Sequence, residues 1–217
     1  MINHDLFDAA IFDMDGTIMD SLGVWEKIDY EFLENKRGIK VPEDYIHEIA
    51  AMSFTEIANY TKKRFLLPDS PEELMAEWTE MAEYEYSHNI RLKPFVKEYI
   101  LKLKELGKKI VLCTSSPSAF YEGALKNNGI YDLFDAFSGT CEAGEGKSSS
   151  KVFFLAAKKA ETEPGRCIVF EDVLSAATTA KSAGMMVCAV YDERSAIHKA
   201  ALKKVCDCYI ENFDELL

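Results

Sequence analysis

Short, continuous apolar runs recur along this chain, and they constrain its fold more than any other feature of the sequence. They alternate with longer segments whose apolar residues repeat at helical spacing. A strand that is apolar on both faces needs cover on both faces, which helices supply on the two sides of a parallel sheet. The alternation therefore predicts an α/β fold with a doubly wound, Rossmann-like parallel sheet. The runs are residues 9–12, 110–113, 167–170 and 185–190, with shorter candidates at 135–138 and 208–210.

One long segment departs from this alternation. Residues 21–89 keep helical spacing and contain no convincing strand pattern. Residues 53–56 and 70–73 each have the spacing of a helix capping box, and the second has a proline at its first helical position. We therefore predict an all-helical cap domain inserted into an α/β core. The predicted boundaries are 1–17 and 92–217 for the core domain and 18–91 for the cap domain.

Charge and composition exclude several classes of function. The formal net charge of −12 disfavours binding to nucleic acid, because that affinity comes largely from Lys and Arg neutralising phosphates. No apolar run reaches the roughly 20 residues that span a bilayer, and the first residues do not have the pattern of a signal peptide. The six cysteines lack zinc-finger or Cys-x-x-Cys spacing. We expect a cytoplasmic protein, a monomer or homodimer, without nucleic-acid or membrane partners.

Polar side chains follow several of the predicted strands at the point where each strand ends. In an open parallel sheet, ligands bind beyond the carboxyl ends of the strands. Residues from distant parts of the sequence should therefore meet at one edge of the sheet. They are Asp13 and Asp15 after the first strand, Thr114, Ser115 and Ser116 after the second, Lys147 in a loop, and Glu171 with Asp172 after the third buried run.

The chemistry of this set divides into two halves. Carboxylates gathered in one place repel one another, so keeping them ionised requires a cation. Oxygen-only ligands favour a hard ion, and Mg²⁺ is the ion that commonly accompanies phosphate. Hydroxyls, backbone N–H groups after a strand and a lysine suit phosphate oxygens. The residues alone therefore predict an acidic metal-binding half beside a half that donates hydrogen bonds to a phosphoryl group.

Four motifs in order resemble those of the haloacid dehalogenase superfamily. Residues 13–17 (Asp-Met-Asp-Gly-Thr) resemble its first motif and residues 111–116 its second, while Lys147 resembles the third and residues 169–172 the fourth. The helical insertion lies between the first two motifs, as in members similar to phosphoglycolate phosphatase and beta-phosphoglucomutase. The resemblance covers nearly the whole chain and implies a phosphatase acting on a small phosphorylated metabolite.

The resemblance also implies a role for each matching residue. Asp13 would attack phosphorus and form an aspartyl-phosphate, and Asp15 would protonate the leaving oxygen and then activate water. Thr114 and the backbone of Ser115 would hold phosphoryl oxygens. Lys147 would neutralise charge on the phosphoryl group and on Asp13. An Asp at position 15, rather than Tyr or a small residue, favours a phosphate ester or anhydride as the substrate.

The metal ligands implied by the resemblance come from the first and fourth motifs. Asp172 would bind Mg²⁺ together with Asp13 and the backbone carbonyl of Asp15. Glu171 would be a direct or a water-bridged ligand. Catalysis of this type depends mainly on positioning and electrostatic stabilisation.

The sequence departs from the family pattern at several positions. Where relatives carry Pro-x-Pro-Asp after the third-motif lysine, this chain has Ser148 to Lys151, so a supporting acid is missing or supplied elsewhere. Val173 and Ala176 replace the Ser and Gly that usually follow the fourth motif. Trp25 stands where sugar-phosphate mutases carry a His, which favours a hydrolase over a mutase.

Alternative functions stay open at this point. They are a phosphomutase of the beta-phosphoglucomutase type, a non-catalytic sensor of phosphorylated ligands, and a nucleotide enzyme, because residues 141–148 nearly match a P-loop. The insertion is expected to hinge near residues 18–20 and 91–93 and to close over the site. Residues 51–53 and the helix that contains Trp25 are the candidates for substrate specificity.

Overall fold

The computed structural model describes residues 2–21, 23–49, 52 and 54–217, without the side chains of Glu43 and His47. The chain forms two compact units. We call Met1–Leu22 with Ile90–Leu217 the core unit and Gly23–Asn89 the helical unit. Ala51 and Ser53, and with Ser53 the capping box predicted at 53–56, lie outside the described residues.

The core unit contains six strands, namely β1 (Ala9–Phe12), β2 (Lys109–Thr114), β3 (Ala136–Gly139), β4 (Cys167–Glu171), β5 (Met186–Val190) and β6 (Cys208–Ile210). They form one sheet in the order β3-β2-β1-β4-β5-β6. Every neighbouring pair of strands is parallel, which confirms the predicted α/β class with a doubly wound sheet. The central strand β1 pairs with β2 on one side and β4 on the other.

Helices follow the strands in the core unit and make up the regular structure of the helical unit. In the part of the chain that the structure describes, none of them combines the length and apolarity needed to cross a bilayer. The α-helices are α1 (Val24–Tyr30), α2 (Glu43–Ile49), α3 (Phe54–Phe65), α4 (Pro71–His88), α5 (Val96–Glu105), α6 (Ser118–Asn127), α7 (Thr140–Ala143), α8 (Lys151–Lys159), α9 (Leu174–Ser182) and α10 (Lys199–Val205).

Two faces of the sheet are packed differently. One face carries aromatic rings, and Phe12 stacks on Phe170 with ring centroids 4.6 Å apart, next to Tyr99 and Phe213. The other face packs small and branched side chains of the strands against α8 and α9. Burial of β1 on both faces explains why its sequence is continuously apolar.

In the helical unit, the capping box predicted at residues 70–73 is confirmed at the start of α4. Ser70 Oγ accepts a hydrogen bond from the Glu73 backbone N–H at 3.2 Å, and Glu73 Oε2 accepts from the Ser70 N–H at 2.7 Å. The first helix of this unit has an irregular end, because α1 ends at Tyr30 and a π-helical turn, Glu31–Asn35, follows it directly.

Two helices of the core unit follow irregular segments. α5 starts at Val96, after Phe95, which adopts a left-handed conformation with φ of 63°. Before α10 the chain turns around Asp192, whose Oδ1 accepts from the Arg194 N–H at 3.0 Å. Side-chain hydrogen bonds of this kind compete with helix formation.

Candidate active site

Three acids meet where β1 and β4 end. The strands pair with Phe12 opposite Phe170, so the residues that follow them lie side by side. The Asp13 N–H donates to the Phe170 carbonyl at 3.0 Å, which extends this pairing by one residue. Carboxylate oxygens of Asp13, Glu171 and Asp172 all lie within 4.8 Å of one another. The three residues are buried, although each is ionisable.

Lys147 inserts its ammonium group between two of these acids. Its Nζ contacts Asp13 Oδ1 and lies 2.8 Å from Glu171 Oε2. The lysine reaches the site from a loop after α7, where Gly144 turns the chain with a φ of 73°. Segment 141–148, the near match to a P-loop, thus begins in a helix and delivers its lysine to carboxylates.

Burial and mutual repulsion control the charge of this cluster. Burial, followed by the Glu171 charge, raises the pKa of Asp13 well above its usual value, against the opposing effect of Lys147. Burial and then Glu171 raise the pKa of Asp172 to about 7. For Lys147, burial lowers the pKa, but Asp13 and Glu171 outweigh it and the net shift is upward. Three acids with one ammonium leave an excess of negative charge that a cation would neutralise.

The residues fit a hard divalent cation. Asp13, Glu171 and Asp172 offer only oxygen ligands, as Mg²⁺ prefers. Glu171 is engaged at both oxygens, because Oε1 accepts from the Val173 N–H at 3.1 Å while Oε2 faces Lys147. Glu171 therefore holds Lys147 in addition to offering an oxygen to a cation.

Asp15 lies apart from this trio and is held by two hydroxyls. Ser21 Oγ donates to Asp15 Oδ1 at 2.6 Å, and Ser116 Oγ donates to Asp15 Oδ2 at 2.7 Å. Gly16 permits the turn that separates Asp15 from β1, because its φ of 81° is strained for other residues. The turn thus directs the two acids of the first motif to different partners.

The phosphate-binding candidates lie at the end of β2. Thr114 is buried, and its Oγ1 accepts from the Ser116 N–H at 3.0 Å, whereas Ser115 is exposed. Thr114 is therefore linked to Asp15 through Ser116, whose hydroxyl reaches that carboxylate. Because β2 is the neighbour of β1, these groups share the edge of the sheet on which Asp13 lies.

Four residues of this edge were not selected from the sequence. Thr17 donates to Asp172, and Ser21 donates to Asp15. Lys93 Nζ contacts the Gly16 carbonyl and lies 2.8 Å from both the Tyr191 carbonyl and Asp192 Oδ2. Asp192 follows β5 closely, so the rule that polar residues just after a parallel strand lie at the binding edge would have selected it. Ser21 and Lys93 carry no comparable signal, because their positions depend on irregular segments.

Comparison with known proteins places the chain among hydrolases. A family model described as haloacid dehalogenase-like hydrolase matches residues 7–184. A putative phosphatase of Bacillus subtilis, YhcW, is 28% identical over 83% of this chain and 81% of its own length. A phosphorylated carbohydrates phosphatase of Thermotoga maritima is 26% identical over 82% of each chain. A crystal structure of a putative beta-phosphoglucomutase from Thermotoga maritima superposes with a TM-score of 0.81, 23% identity and 94% coverage of both chains, which shows a shared fold.

Proposed function

The chain belongs to the haloacid dehalogenase-like hydrolase family, and from that premise we propose that it is a Mg²⁺-dependent phosphatase of small phosphorylated metabolites. The observation that carries the proposal is the buried cluster in which Asp13 contacts Lys147 beside Glu171 and Asp172. The phosphatase names of the relatives from Bacillus subtilis and Thermotoga maritima support the same reaction.

In the proposed reaction, Asp13 acts first as a nucleophile. Its carboxylate oxygen forms a bond to phosphorus, and the bond from phosphorus to the ester oxygen breaks. Asp15 gives its proton to that leaving oxygen. It then takes a proton from the water that attacks the aspartyl-phosphate, which releases phosphate and restores Asp13. The two hydroxyls on Asp15, from Ser21 and Ser116, support this role because they hold its carboxyl group in one orientation.

The remaining residues stabilise charge. Lys147 would bind the phosphoryl group while it compensates the charge of Asp13. Thr114 and the Ser115 N–H would donate hydrogen bonds to phosphoryl oxygens at the end of β2. Preorganised donors of this kind are effective because they require no rearrangement during the reaction.

The metal site of the proposal consists of Asp13 and Asp172 with the Asp15 carbonyl, and Glu171 directly or through water. A bound Mg²⁺ would supply positive charge that offsets the repulsion between the substrate phosphate and the nucleophile. The raised pKa values of Asp13 and Asp172 support this assignment, since a cation would restore their ionised forms.

We further propose that residues 18–91 act as a cap whose movement controls access. Its two connecting segments, residues 18–20 and 91–93, lie in the core unit and are joined to each other by backbone hydrogen bonds. The Asp20 N–H donates to the Arg91 carbonyl at 3.0 Å, and the Lys93 N–H donates to the Ile18 carbonyl at 2.9 Å. Paired connecting segments at 18–20 and 91–93 would move together as one hinge, and closure would exclude bulk water.

The test is phosphate release from a panel of small phosphate esters, with Mg²⁺ and with a chelator. We expect release by the wild type only in the presence of Mg²⁺, and none by Asp13→Asn. A similar thermal midpoint for Asp13→Asn and wild type would show that the loss is chemical. Retained turnover in Asp13→Asn would exclude Asp13 as the nucleophile. Isomerised esters without phosphate release would identify a mutase instead.

A further inference from the structure

The proposed reaction assigns no role to Lys93, whose ammonium group lies inside the core unit. Its side chain is 15% exposed. The ammonium contacts the Gly16 carbonyl and lies 2.8 Å from both the Tyr191 carbonyl and Asp192 Oδ2. An ammonium group has three protons to donate, so each proton has an oxygen to accept it. Lys93 therefore joins the turn after β1 to the residues that follow β5.

Gly16 is the point in that turn where the chain most needs support. A glycine has no side chain to restrict rotation, so the two peptide groups beside it are held by their hydrogen bonds. The Gly16 N–H donates to the Met19 carbonyl at 3.0 Å. The Thr17 N–H donates to the Met14 carbonyl at 3.3 Å, while the carbonyl of the same peptide group, that of buried Gly16, accepts from Lys93. A charged donor makes a stronger hydrogen bond than a neutral one, so Lys93 contributes a strong hold on this peptide.

The two neighbours of Gly16 both belong to the proposed chemistry. Asp15 precedes it and is the proposed acid–base group, and the Asp15 carbonyl is part of the proposed metal site. Thr17 follows it and donates to Asp172 Oδ1 at 3.0 Å. A rotation of the peptide groups at Gly16 would displace both neighbours. Displacements of about 1 Å can cost about 100-fold in rate, because catalysis depends on exact positioning.

Lys93 is itself anchored through its backbone and through its charge. Its backbone N–H donates to the Ile18 carbonyl at 2.9 Å. Asp192 supplies the opposite charge, and the side chain of Asp192 is 9% exposed. The second oxygen of Asp192 accepts from the Arg194 N–H at 3.0 Å, which fixes the carboxyl group. The position of the ammonium is thus determined by two segments of the core unit.

We propose that Lys93 is a positioning residue, whose ammonium holds the Gly16 carbonyl and so keeps the turn that carries Asp15 in its observed conformation. The inference rests on the proposed function, because it assigns Lys93 to that same reaction. The competing interpretation is that the ion pair of Lys93 with Asp192 only fastens residues 91–93 to the end of β5. Such a fastening would affect stability but not the kcat of the folded protein.

Chemical rescue of Lys93→Ala separates these interpretations. The variant keeps Cβ, and propylammonium has the carbon chain and the ammonium group that the variant lacks. A cavity of about 300 Å³ is lined in part by Lys93, Tyr191 and Asp192 and gives such a small ion access. Its wall also carries acids that attract a cation, namely Asp20, Glu193 and Glu211. The matched control compound is 1-propanol, which has a similar shape without the charge.

We expect kcat for phosphate release by Lys93→Ala to fall about tenfold or more, with little change in KM. The ester is the one that the wild type hydrolyses fastest. Propylammonium should restore most of the lost rate, and 1-propanol should not. Lys181→Ala is the control variant, since it removes an exposed lysine that pairs with Asp207 ahead of β6, at the opposite edge of the sheet. It should keep the wild-type kcat and should not respond to propylammonium.

Hydrogen–deuterium exchange provides a readout that requires no turnover. Residues 14–19 form the turn, and their backbone amides should exchange faster in Lys93→Ala than in the wild type. Propylammonium should slow this exchange again. The amides of α9 should be unaffected, which would show that the change is local and not a loss of overall stability.

A kcat close to that of the wild type in folded Lys93→Ala would overturn the positioning role, and so would unchanged exchange of residues 14–19. Equal recovery with 1-propanol and propylammonium would overturn it too, because filled volume rather than charge would then be responsible. The proposed function fails by a different result, namely no phosphate release from any ester by the wild type. In that case the exchange measurement alone decides whether Lys93 holds the turn.

Discussion

The Thr17 hydroxyl donates a hydrogen bond of 3.0 Å to Asp172 Oδ1, although the two residues stand 155 positions apart in the sequence. Thr17 belongs to the turn after β1, and Asp172 follows β4. Both residues are buried. This one bond therefore joins the two loops that carry the acids. It also orients the Asp172 carboxyl group, and groups that orient the ligands of a bound metal, which is the role proposed for Asp172, contribute strongly to metal affinity.

Replacing Thr17 by Val should weaken Mg²⁺ binding, because the β-branched shape is kept while the hydroxyl is lost. We expect the Mg²⁺ concentration for half-maximal phosphate release to rise about tenfold. The shift of the thermal midpoint with added Mg²⁺ gives a second readout that does not depend on activity. Thr17→Ser keeps the donor and should remain close to wild type. An unchanged Mg²⁺ requirement in Thr17→Val would show that the bond is only structural.

Replacing Ser116 by Ala should lower kcat more than it raises KM. The variant removes one of the two hydroxyls that hold Asp15, so the proposed acid–base group samples unproductive orientations. We expect kcat to fall about tenfold, as for a group that acts mainly in the transition state. Ser182→Ala is the control, since it removes an exposed hydroxyl that bonds to the Thr178 carbonyl of α9. A rise in KM with kcat intact would assign Ser116 to substrate binding instead.

The sheet and its acidic edge could be predicted from the sequence because both follow from simple rules. Strands covered on both faces are continuously apolar, and parallel strands end at one common edge. Those two rules were sufficient to bring Asp13, Glu171 and Asp172 together. Lys147 was different, since a loop lysine gives no local signal of its own, and its role in the site came from the resemblance to a known family.

The contacts made by irregular segments could not be predicted in the same way. Ser21 appeared to begin the helical insertion, yet its hydroxyl bonds to Asp15. Lys93 lies in the segment that was predicted to be a hinge, yet its ammonium joins the Gly16 carbonyl to Asp192. Such contacts depend on the path of the chain between elements, which apolar periodicity does not specify. The left-handed Phe95 is a further local conformation without a sequence signal.

Replacing Lys147 by Met should destabilise the metal-free protein. The Lys147 side chain is 12% exposed and contacts the buried carboxylates of Asp13 and Glu171. Among the described residues of this cluster, Lys147 supplies the only ammonium group, which both acids would lose. Removing one member of a buried ion pair costs about 3 kcal/mol of unfolding free energy. Added Mg²⁺ should recover part of this loss, because it supplies positive charge at the same acids.

Lys151→Met is the matched control for this measurement. Lys151 pairs with Glu145, but both side chains are exposed, so the pair is screened by water. Urea unfolding of the three proteins, each with Mg²⁺ and with chelator, compares the effects. If Lys147→Met and Lys151→Met lost equally little stability, the buried cluster would not depend on its lysine.

Replacing Asp29 by Asn should change how the stability of the protein depends on pH. Burial raises the folded-state pKa of Asp29 from 3.8 to about 7, so the folded state holds this proton more tightly than the unfolded state. The stabilisation is present at low pH and is lost as pH rises between the two pKa values. From about pH 5 to about pH 8 the wild type should lose about 2–3 kcal/mol through this residue, a loss that Asp29→Asn avoids. Urea unfolding of both proteins at the two pH values gives the stability that each one loses between them. Contributions from the other titrating groups cancel when the two losses are subtracted. Parallel pH profiles would mean that Asp29 is ionised at its usual pH inside the folded protein.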